Sequence, residues 1–327
     1  MTELPAAYYL PLGDQRYEPT EATTSPWDDR AQHGGPPTAL LADCLDQAFG
    51  RPELRVARIS MDFLGPVPRT PVRVETELLR PGRRTQLSEA SLWGGDRRVA
   101  TARVWHLATA APGANGTGGA DGAAGSGSRS GSGGDGAAGS GSGSGSDGAA
   151  GSRSRSGSGG DGAAGSGSEG GDGTGPADLP APQEQRFFAG DEQWGYGKAT
   201  EWRIVSGGYA SSSGAADVWT RVRIPLIAGH PLNGLARFAI VADSANGLSA
   251  PLNFTDWLFI PPGVTMHIHR YPAGEWVRLT AASDAGRDGI GLTEGTLSDA
   301  AGRCGTVTQP LLVAPRTDPR VQPGRTG

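Results

Sequence analysis

Two stretches of the chain, ALLADCLDQAFG at 39–50 and IVADSANGLSA at 240–250, are written on the same plan. Each has an Ala-Asp pair inside an apolar run and a glycine near its end, and the two Ala-Asp pairs stand 200 residues apart. The similarity predicts one structural unit that occurs twice. It also raises the question of which copy carries the chemistry.

The first copy has the pattern of an amphipathic helix. Small residues and two prolines open the segment HGGPPTALLADCLDQAFG at 33–50, which suits a helix start, and Gly50 suits a helix end. Apolar residues recur at spacings of three and four, the period of one helix face; they are Leu40, Leu41, Cys44, Leu45 and Phe49. The segment therefore predicts a helix with one buried face.

Strand patterns follow this helix. Valines at 72 and 74 alternate with charged residues, as expected for a half-buried strand, and the WGGDRR stretch is typical of a hairpin. Glycine, proline and charged turns separate four segments: 56–67, 72–84, 85–98 and 99–108. One helix followed by an antiparallel meander predicts an α+β unit in which the helix covers the sheet.

The second half repeats this order. The segment LNGLARFAIVADSANG at 232–247 predicts a second helix of the same kind. Four strand-like segments follow it, at 264–270, 276–286, 289–305 and 306–315. Two units of the same α+β plan are therefore expected in one chain.

The middle of the chain is unlike either unit. Residues 111–176 consist mostly of Gly, Ser, Ala and Asp, and the unit DGAAGS recurs four times. Such a composition buries too little apolar surface to offset the entropy of ordering the backbone. We predict a disordered linker at 111–180 between structured units at 1–110 and 181–318, with a tail at 319–327.

Composition argues against several classes of protein. The net charge of −5 disfavours a nucleic-acid partner, and no apolar run approaches the ~20 residues that cross a membrane. The start of the chain lacks the basic and apolar regions of a secretory signal. Two cysteines, Cys44 and Cys304, are too few for a cysteine-based metal site or a disulfide framework. We expect a cytoplasmic protein without a metal or a redox cofactor.

Five motifs, taken in order, resemble one family. They are HGGPP at 33–37, VPRTPVRVETELLRPGRR at 67–84, WTRVRIPL at 219–226, ADSANG at 242–247 and GTVTQ at 305–309. Together they resemble the double hotdog acyl-CoA thioesterases, close to the acyl-CoA thioesterase II type. The resemblance covers about 15–110 and 185–316. It implies an α+β double hotdog, with two helix-covered antiparallel sheets that meet edge to edge.

The resemblance also implies a reaction and its residues. The substrate would be an acyl-CoA or acyl-carrier thioester, and the chain could form a homo-oligomer. Asp243 would activate water as the base, while Gln309 would orient that water. A backbone N–H of Gly34 or Gly35, at the start of the first helix, would bind the oxyanion.

One position departs from the family pattern. Where relatives carry Thr or Asn to help hold the water, this chain has Pro261. Asn253, Thr255 and Thr265 are candidates to compensate, and His33 is a candidate for positioning the helix entrance and the substrate. The alternative to a hydrolase is a non-catalytic acyl-thioester binding protein of the same fold. A hotdog hydratase is a weaker alternative, because the sequence shows no convincing His/Asp pair.

Several other residues have simpler interpretations. Asp43 is the repeat counterpart of Asp243, and a structural role is the favoured one. His267 and His269 alternate on a strand, but no third metal ligand has suitable spacing. Trp202 is expected in the core or in the wall of an acyl pocket.

Overall fold

The computed structural model describes residues 4–110, 195–208 and 212–319. The predicted linker at 111–180 lies outside the described residues, as do 181–194 and all of the predicted tail except its first residue.

The N-terminal half contains one long helix and six strands. A 3₁₀ turn at Glu21–Thr23 precedes helix α1, Gly35–Phe49. The strands are β1 Tyr9–Gly13, β2 Arg16–Pro19, β3 Leu54–Phe63, β4 Val72–Arg80, β5 Thr85–Gly94 and β6 Arg97–Ala108.

The described residues of the C-terminal half form three helices and seven strands. The helices are α2 Gly195–Ala199, α3 Gly234–Ala242 and α4 Ala245–Leu248. The strands are β7 Thr200–Gly207, β8 Ala215–Val222, β9 Trp257–Ile260, β10 Gly263–Ile268, β11 Trp276–Ala285, β12 Ile290–Asp299 and β13 Gly302–Pro315.

The strands form one antiparallel sheet whose order shows the internal repeat. The order is β1-β2-β4-β5-β6-β3-β10-β13-β12-β11-β8-β7, with β9 paired to β13 off this path. The run β4-β5-β6-β3 of the first half therefore mirrors the run β11-β12-β13-β10 of the second. Ser60 pairs with Thr265 where β3 meets β10. The two predicted sheets are thus joined by a hydrogen-bonded seam into one 13-stranded sheet.

Helices α1 and α3 pack against each other, and each contacts strands of its own half. Their apolar side chains belong to one core cluster with the strands beneath them. Residues 35–45 of α1 are all buried, because that part of the helix is enclosed by α3 and the sheet. The predicted helix at 33–50 therefore agrees with α1 to within two residues at each end.

The second predicted helix is interrupted. Sequence pattern predicts one helix over 232–247, but α3 ends at Ala242 and α4 starts at Ala245. The Ser244 N–H bonds the carbonyl of Val241, three residues back, at 3.1 Å, and this tight turn ends the regular helical spacing. Asp243 consequently lies at the end of α3.

Candidate active site

The start of α1 lies against the end of α3. A Cβ built on Gly34 would come within 2.9 Å of both carboxylate oxygens of Asp243. A Cβ on Gly35 would lie 2.9 Å from the carbonyl oxygen of Ile240. These approaches are too close for any side chain, so the glycines allow the two helices to bring a backbone terminus and a carboxylate together.

Few backbone donors remain at this end of α1. Pro36 and Pro37 have no N–H, and the Thr38 N–H donates to the carbonyl of Gly34 at 3.1 Å. The N–H groups of Gly34 and Gly35 are therefore the donors that the helix terminus can offer to a bound oxygen. The positive end of the helix dipole favours a negative charge at the same place.

His33 contacts both Asp243 and this terminus. Its Nδ1 lies 2.9 Å from Oδ2 of Asp243, and both side chains are largely buried. The Gly35 N–H also points to Nδ1, with an N to N distance of 3.2 Å. An imidazole nitrogen carries either a proton or a lone pair, so Nδ1 can donate to Asp243 or accept from Gly35, but cannot do both at once.

Tyr196 fixes the plane of His33. The two rings stack with centroids 3.8 Å apart and an interplanar angle of 5°. The Tyr196 hydroxyl lies 2.9 Å from the carbonyl oxygen of Ile240 and 2.8 Å from the Ser244 hydroxyl. Burial raises the pKa of Tyr196 well above its usual value, so the phenol keeps its proton and donates. The imidazole is thereby held against the end of α3.

Gln309 reaches Asp243 from the sheet. Its Nε2 is 3.4 Å from both the carbonyl oxygen and Oδ1 of Asp243, and its Oε1 accepts the Asn246 N–H at 3.1 Å. Gln309 is fully buried and Asp243 is 4% exposed. The Asn246 side-chain amide donates to the carbonyl of Phe259 at 3.2 Å. Strand β13 and helix α4 therefore hold the carboxylate from a second side.

A small cavity adjoins this group. Its volume is about 20 Å³, roughly the space of one water molecule. His33, Ser244 and Asn246 line it, and so do Trp27 and Phe254, whose ring centroids lie 5.2 Å apart. A larger open depression of about 710 Å³ lies over β8 and β11 to β13 and contains none of these residues.

The structure places two predicted substrate-binding residues elsewhere. Asn253 is exposed, and its amide donates to the carboxylate of Asp256 at 3.0 Å. Thr265 pairs with Thr308, the residue before Gln309, so its side chain points to the opposite face of the sheet. Neither side chain forms a hydrogen bond with Asp243 in the described chain. Of the three predicted substrate-binding residues, the structure brings only His33 to the carboxylate.

The sequence-based interpretation missed three features around Asp243: its direct contact with His33, and the supporting roles of Asn246 and Tyr196. Pro261 lies in the link between β9 and β10 and supplies no polar side chain, whereas the His33 imidazole does contact the carboxylate. Asn246 supports the site indirectly, because its N–H donates to Gln309. It stands three residues after Asp243 in the quoted motif, and that spacing was an available signal. Tyr196 stands between the predicted linker and β7, and nothing in the local sequence indicates its role.

The other half contains a related but different arrangement. Asn233, at the start of α3, donates its side-chain amide to Oδ1 of Asp43 at 2.6 Å, and Gln47 donates to Oδ2 at 2.6 Å. Burial raises the pKa of Asp43 even though these two hydrogen bonds favour the charged form. This contact is the repeat counterpart of the contact between His33 and Asp243.

The counterpart of Gln309 is apolar. Counting outward from the seam between β3 and β10 places Val104 on β6 where Gln309 stands on β13. Val104 is fully buried in the core. The group around Asp43 therefore has no amide from the sheet, and its two amide contacts come from the helical side, from Asn233 and Gln47.

Two protein-family models match the chain in sequence. The model of the acyl-CoA thioesterase N-terminal domain matches residues 23–107, and that of the acyl-CoA thioesterase C-terminal domain matches 175–313. The chain belongs to the acyl-CoA thioesterase family. It is therefore a thioester hydrolase of the acyl-CoA thioesterase type, and the resemblance found in its motifs is confirmed.

Solved structures show the same fold for this acyl-CoA thioesterase family member. A protein assigned as a thioesterase II from Thermobifida fusca is 16% identical, with a TM-score of 0.61, covering 94% of this chain and 96% of its own. A protein assigned as a thioesterase from Novosphingobium aromaticivorans is 20% identical, with a TM-score of 0.58, covering 95% and 99%. An acyl-CoA thioesterase II from Mycobacterium marinum is 14% identical, with a TM-score of 0.54, covering 95% and 96%. None of the curated proteins compared matches the sequence.

Two further features bear on the class of site. Among the described residues, no group of three or more His, Cys, Asp or Glu side chains is arranged to hold a metal ion. No described helix has both the length and the apolar composition needed to span a membrane.

Proposed function

We propose that this family member hydrolyses acyl-CoA thioesters with Asp243 as the base that activates water. The observation that carries the proposal is the contact between the end of α3 and the start of α1. It places a buried carboxylate beside the glycine N–H groups at a helix N-terminus. A base and an oxyanion site are the two elements that water-dependent cleavage of a thioester needs.

The proposed reaction has two steps. Asp243 takes a proton from water as the water oxygen bonds to the thioester carbonyl carbon, and the carbonyl oxygen becomes an oxyanion. The N–H groups of Gly34 and Gly35 bind that oxyanion at the positive end of α1. The intermediate then collapses, the carbon–sulfur bond breaks, and the proton on Asp243 passes to the leaving thiolate. The products are a free carboxylic acid and coenzyme A.

His33 has a positioning role in this proposal. With a proton on Nδ1 it donates to Oδ2 of Asp243 and leaves the Gly35 N–H available to the oxyanion. Stacking on Tyr196 holds the ring in the plane that this requires. The position of the proton on His33 therefore decides two things: whether Asp243 receives this hydrogen bond, and whether the Gly35 N–H is left for the oxyanion.

Gln309 supports the same carboxylate from the sheet. Its amide approaches Oδ1 of Asp243, while His33 contacts Oδ2, so the two side chains hold opposite oxygens. A carboxylate fixed at both oxygens has little freedom to rotate away from the attacking water. We propose that these two contacts serve in place of the third polar side chain that Pro261 does not supply.

A non-catalytic acyl-thioester binding protein is the second candidate. Two observations favour it: Pro261 replaces a polar residue of the family pattern, and the cavity beside the carboxylate has room for about one water. A binding protein would retain the helix N-terminus, whose N–H groups donate to the carbonyl oxygen. It would not turn over its ligand.

Release of free thiol from a panel of acyl-CoA esters tests the proposal. The panel runs from acetyl-CoA to palmitoyl-CoA, and we expect enzyme-dependent thiol release that saturates with substrate. Saturable binding of acyl-CoA by the folded wild type without thiol release would favour the binding protein.

A single turnover in H₂¹⁸O separates two uses of Asp243. If Asp243 activates water, the label enters the acid formed in the first turnover. If Asp243 instead attacks the carbonyl, it displaces the thiolate of coenzyme A and forms an anhydride. When water opens this anhydride at the Asp243 carbon, the first acid carries an unlabelled oxygen from the carboxylate, and the label stays on the protein; such a result would contradict the proposed role as a base. We expect labelled acid.

A further inference from the structure

Trp202 has a buried hydrogen-bond donor that no described residue uses. The residue lies on β7 and is 3% exposed. Its indole Nε1 is buried and forms no hydrogen bond within the described part of the chain. Buried tryptophans usually pair this N–H, because an unpaired buried donor is costly. Among the described residues this donor is therefore open to the acceptor of a bound molecule.

The position of Trp202 indicates which molecule that is. The side chain lines the same small cavity as His33, Ser244 and Asn246. His33 contacts Asp243 at 2.9 Å, so the cavity lies one side chain away from the carboxylate. With a volume of about 20 Å³, this space has room for one oxygen-sized substituent of an acyl group that is hydrolysed at Asp243.

The chemistry of the indole restricts what it can select. An indole N–H donates and cannot accept, so its partner must offer a lone pair. A plain alkyl chain would cover the N–H without pairing it, whereas an oxygen substituent would satisfy it. A site built to bond a substrate oxygen rejects the analogue that lacks this oxygen more strongly than it rejects a change of one methylene.

We propose that Trp202 selects short acyl groups that carry a hydroxyl or keto oxygen near the thioester, through a hydrogen bond from its indole N–H. The inference rests on the proposed function and names its substrate class. One competing arrangement involves Thr220, which pairs with Trp202 across β7 and β8 and whose buried hydroxyl also has no partner in the described chain. A water that bridges these two groups would satisfy both without any contribution to substrate choice.

A comparison of two substrates in two proteins tests the proposal. The values of kcat/KM for 3-hydroxybutyryl-CoA and butyryl-CoA are measured in the wild type and in Trp202→Phe, which keeps an aromatic ring and removes the N–H. We expect the ratio of the two values to favour the hydroxylated substrate in the wild type and to fall roughly tenfold in the variant. The control is Trp276→Phe, on the other face of the sheet, where the ring stacks with Arg203 and Arg221; this change should leave the ratio as in the wild type.

A second measurement avoids any change to the fold. The inhibition constants of two thioether analogues, S-(3-hydroxybutyl)-CoA and S-butyl-CoA, are compared on the wild type, and we expect the hydroxylated analogue to bind more tightly. An equal ratio of kcat/KM in the wild type and Trp202→Phe, or equal inhibition by the two analogues, would overturn the proposal and favour the bridging water. A folded wild type that releases no thiol from either ester would contradict the proposed function itself, and this inference with it.

Discussion

Nδ1 of His33 lies 2.9 Å from Oδ2 of Asp243 and 3.2 Å from the backbone nitrogen of Gly35. A single nitrogen cannot donate to the carboxylate and accept from the N–H at the same time. The geometry therefore connects two parts of the proposed site that lie on different helices. Whenever His33 donates to Asp243, the Gly35 N–H is left for a substrate oxygen.

Replacement of His33 tests this connection. His33→Phe keeps an aromatic ring to stack on Tyr196 and removes both polar contacts of Nδ1. We expect kcat to fall roughly 10- to 100-fold, because the carboxylate loses one of the groups that hold it, while the melting temperature changes little. His267→Phe, at an exposed strand position, is the control and should leave kcat unchanged. An unaltered kcat in His33→Phe would show that the contact with Asp243 has no part in the reaction.

Gly34 lies so close to Asp243 that we expect even a methyl side chain at this position to reduce activity. A Cβ in Gly34→Ala would lie 2.9 Å from the carboxylate oxygens of Asp243 and 2.7 Å from the ring of Phe63, so the carboxylate must shift. We expect kcat/KM to fall about 100-fold. Gly65→Ala is the matched control, because its Cβ would meet only the flexible guanidinium group of Arg97. Equal activity of the two variants would contradict the proposed site.

The wall of the cavity predicts a change of substrate preference. Phe254 lines the cavity beside Trp27 and also packs on Phe259, which does not line it. Phe254→Leu should raise kcat/KM for longer acyl chains relative to short ones by roughly tenfold. Phe259→Leu should reduce stability without this change. If both variants shift the chain-length preference equally, the cause is looser packing of the aromatic side chains, and Phe254 does not itself limit the length of the acyl chain.

Asp299 predicts how stability depends on pH. Burial disfavours its charge, but hydrogen bonds from Arg270 and from the N–H groups of Ala273 and Ala301 outweigh burial and lower its pKa to about 2. A carboxyl group with a lowered pKa in the folded state stabilises the protein above its usual pKa of 3.8, and this contribution is lost as pH falls toward 2.

Asp299→Asn should therefore cost about 2 kcal/mol of unfolding free energy near pH 7. The difference from the wild type should shrink progressively below pH 4, as urea unfolding measured across this range would show. Asp284→Asn, at an exposed position, serves as the control. A difference for Asp299→Asn that stays constant down to pH 2 would contradict the lowered pKa.

Local sequence patterns were sufficient to predict much of the fold. Helical spacing predicted α1, because its apolar stripe and its proline and glycine ends are all local signals. The break after Ala242 was not predicted, because the apolar pattern continues through Asp243 and the turn depends on a tight Ser244 contact. The join between β3 and β10 also requires tertiary structure, since these strands belong to different repeats.

For the site too, some residues could be predicted from the sequence, and others depend on tertiary contacts. The resemblance named Asp243, Gln309, Gly34 and Gly35, and the structure brings them together around one carboxylate. The contact of His33 with Asp243 joins residues that are far apart in sequence, so no local spacing could predict it. Asn253 and Thr265 were chosen for their polarity alone, and strand alternation places Thr265 on the other face of the sheet.

The comparison of the two repeat-related aspartates tests the central claim most directly. Thiol release from acyl-CoA esters is measured for the wild type, Asp243→Asn and Asp43→Asn, with melting curves for all three. We predict that Asp243→Asn lowers kcat by about 100-fold or more, as expected for loss of a general base. Asp43→Asn should alter stability and keep most of the activity, because Val104 takes the place of Gln309 in that half. Full activity in Asp243→Asn, or activity lost only in a folded Asp43→Asn, would contradict the assignment of the chemistry to the second repeat.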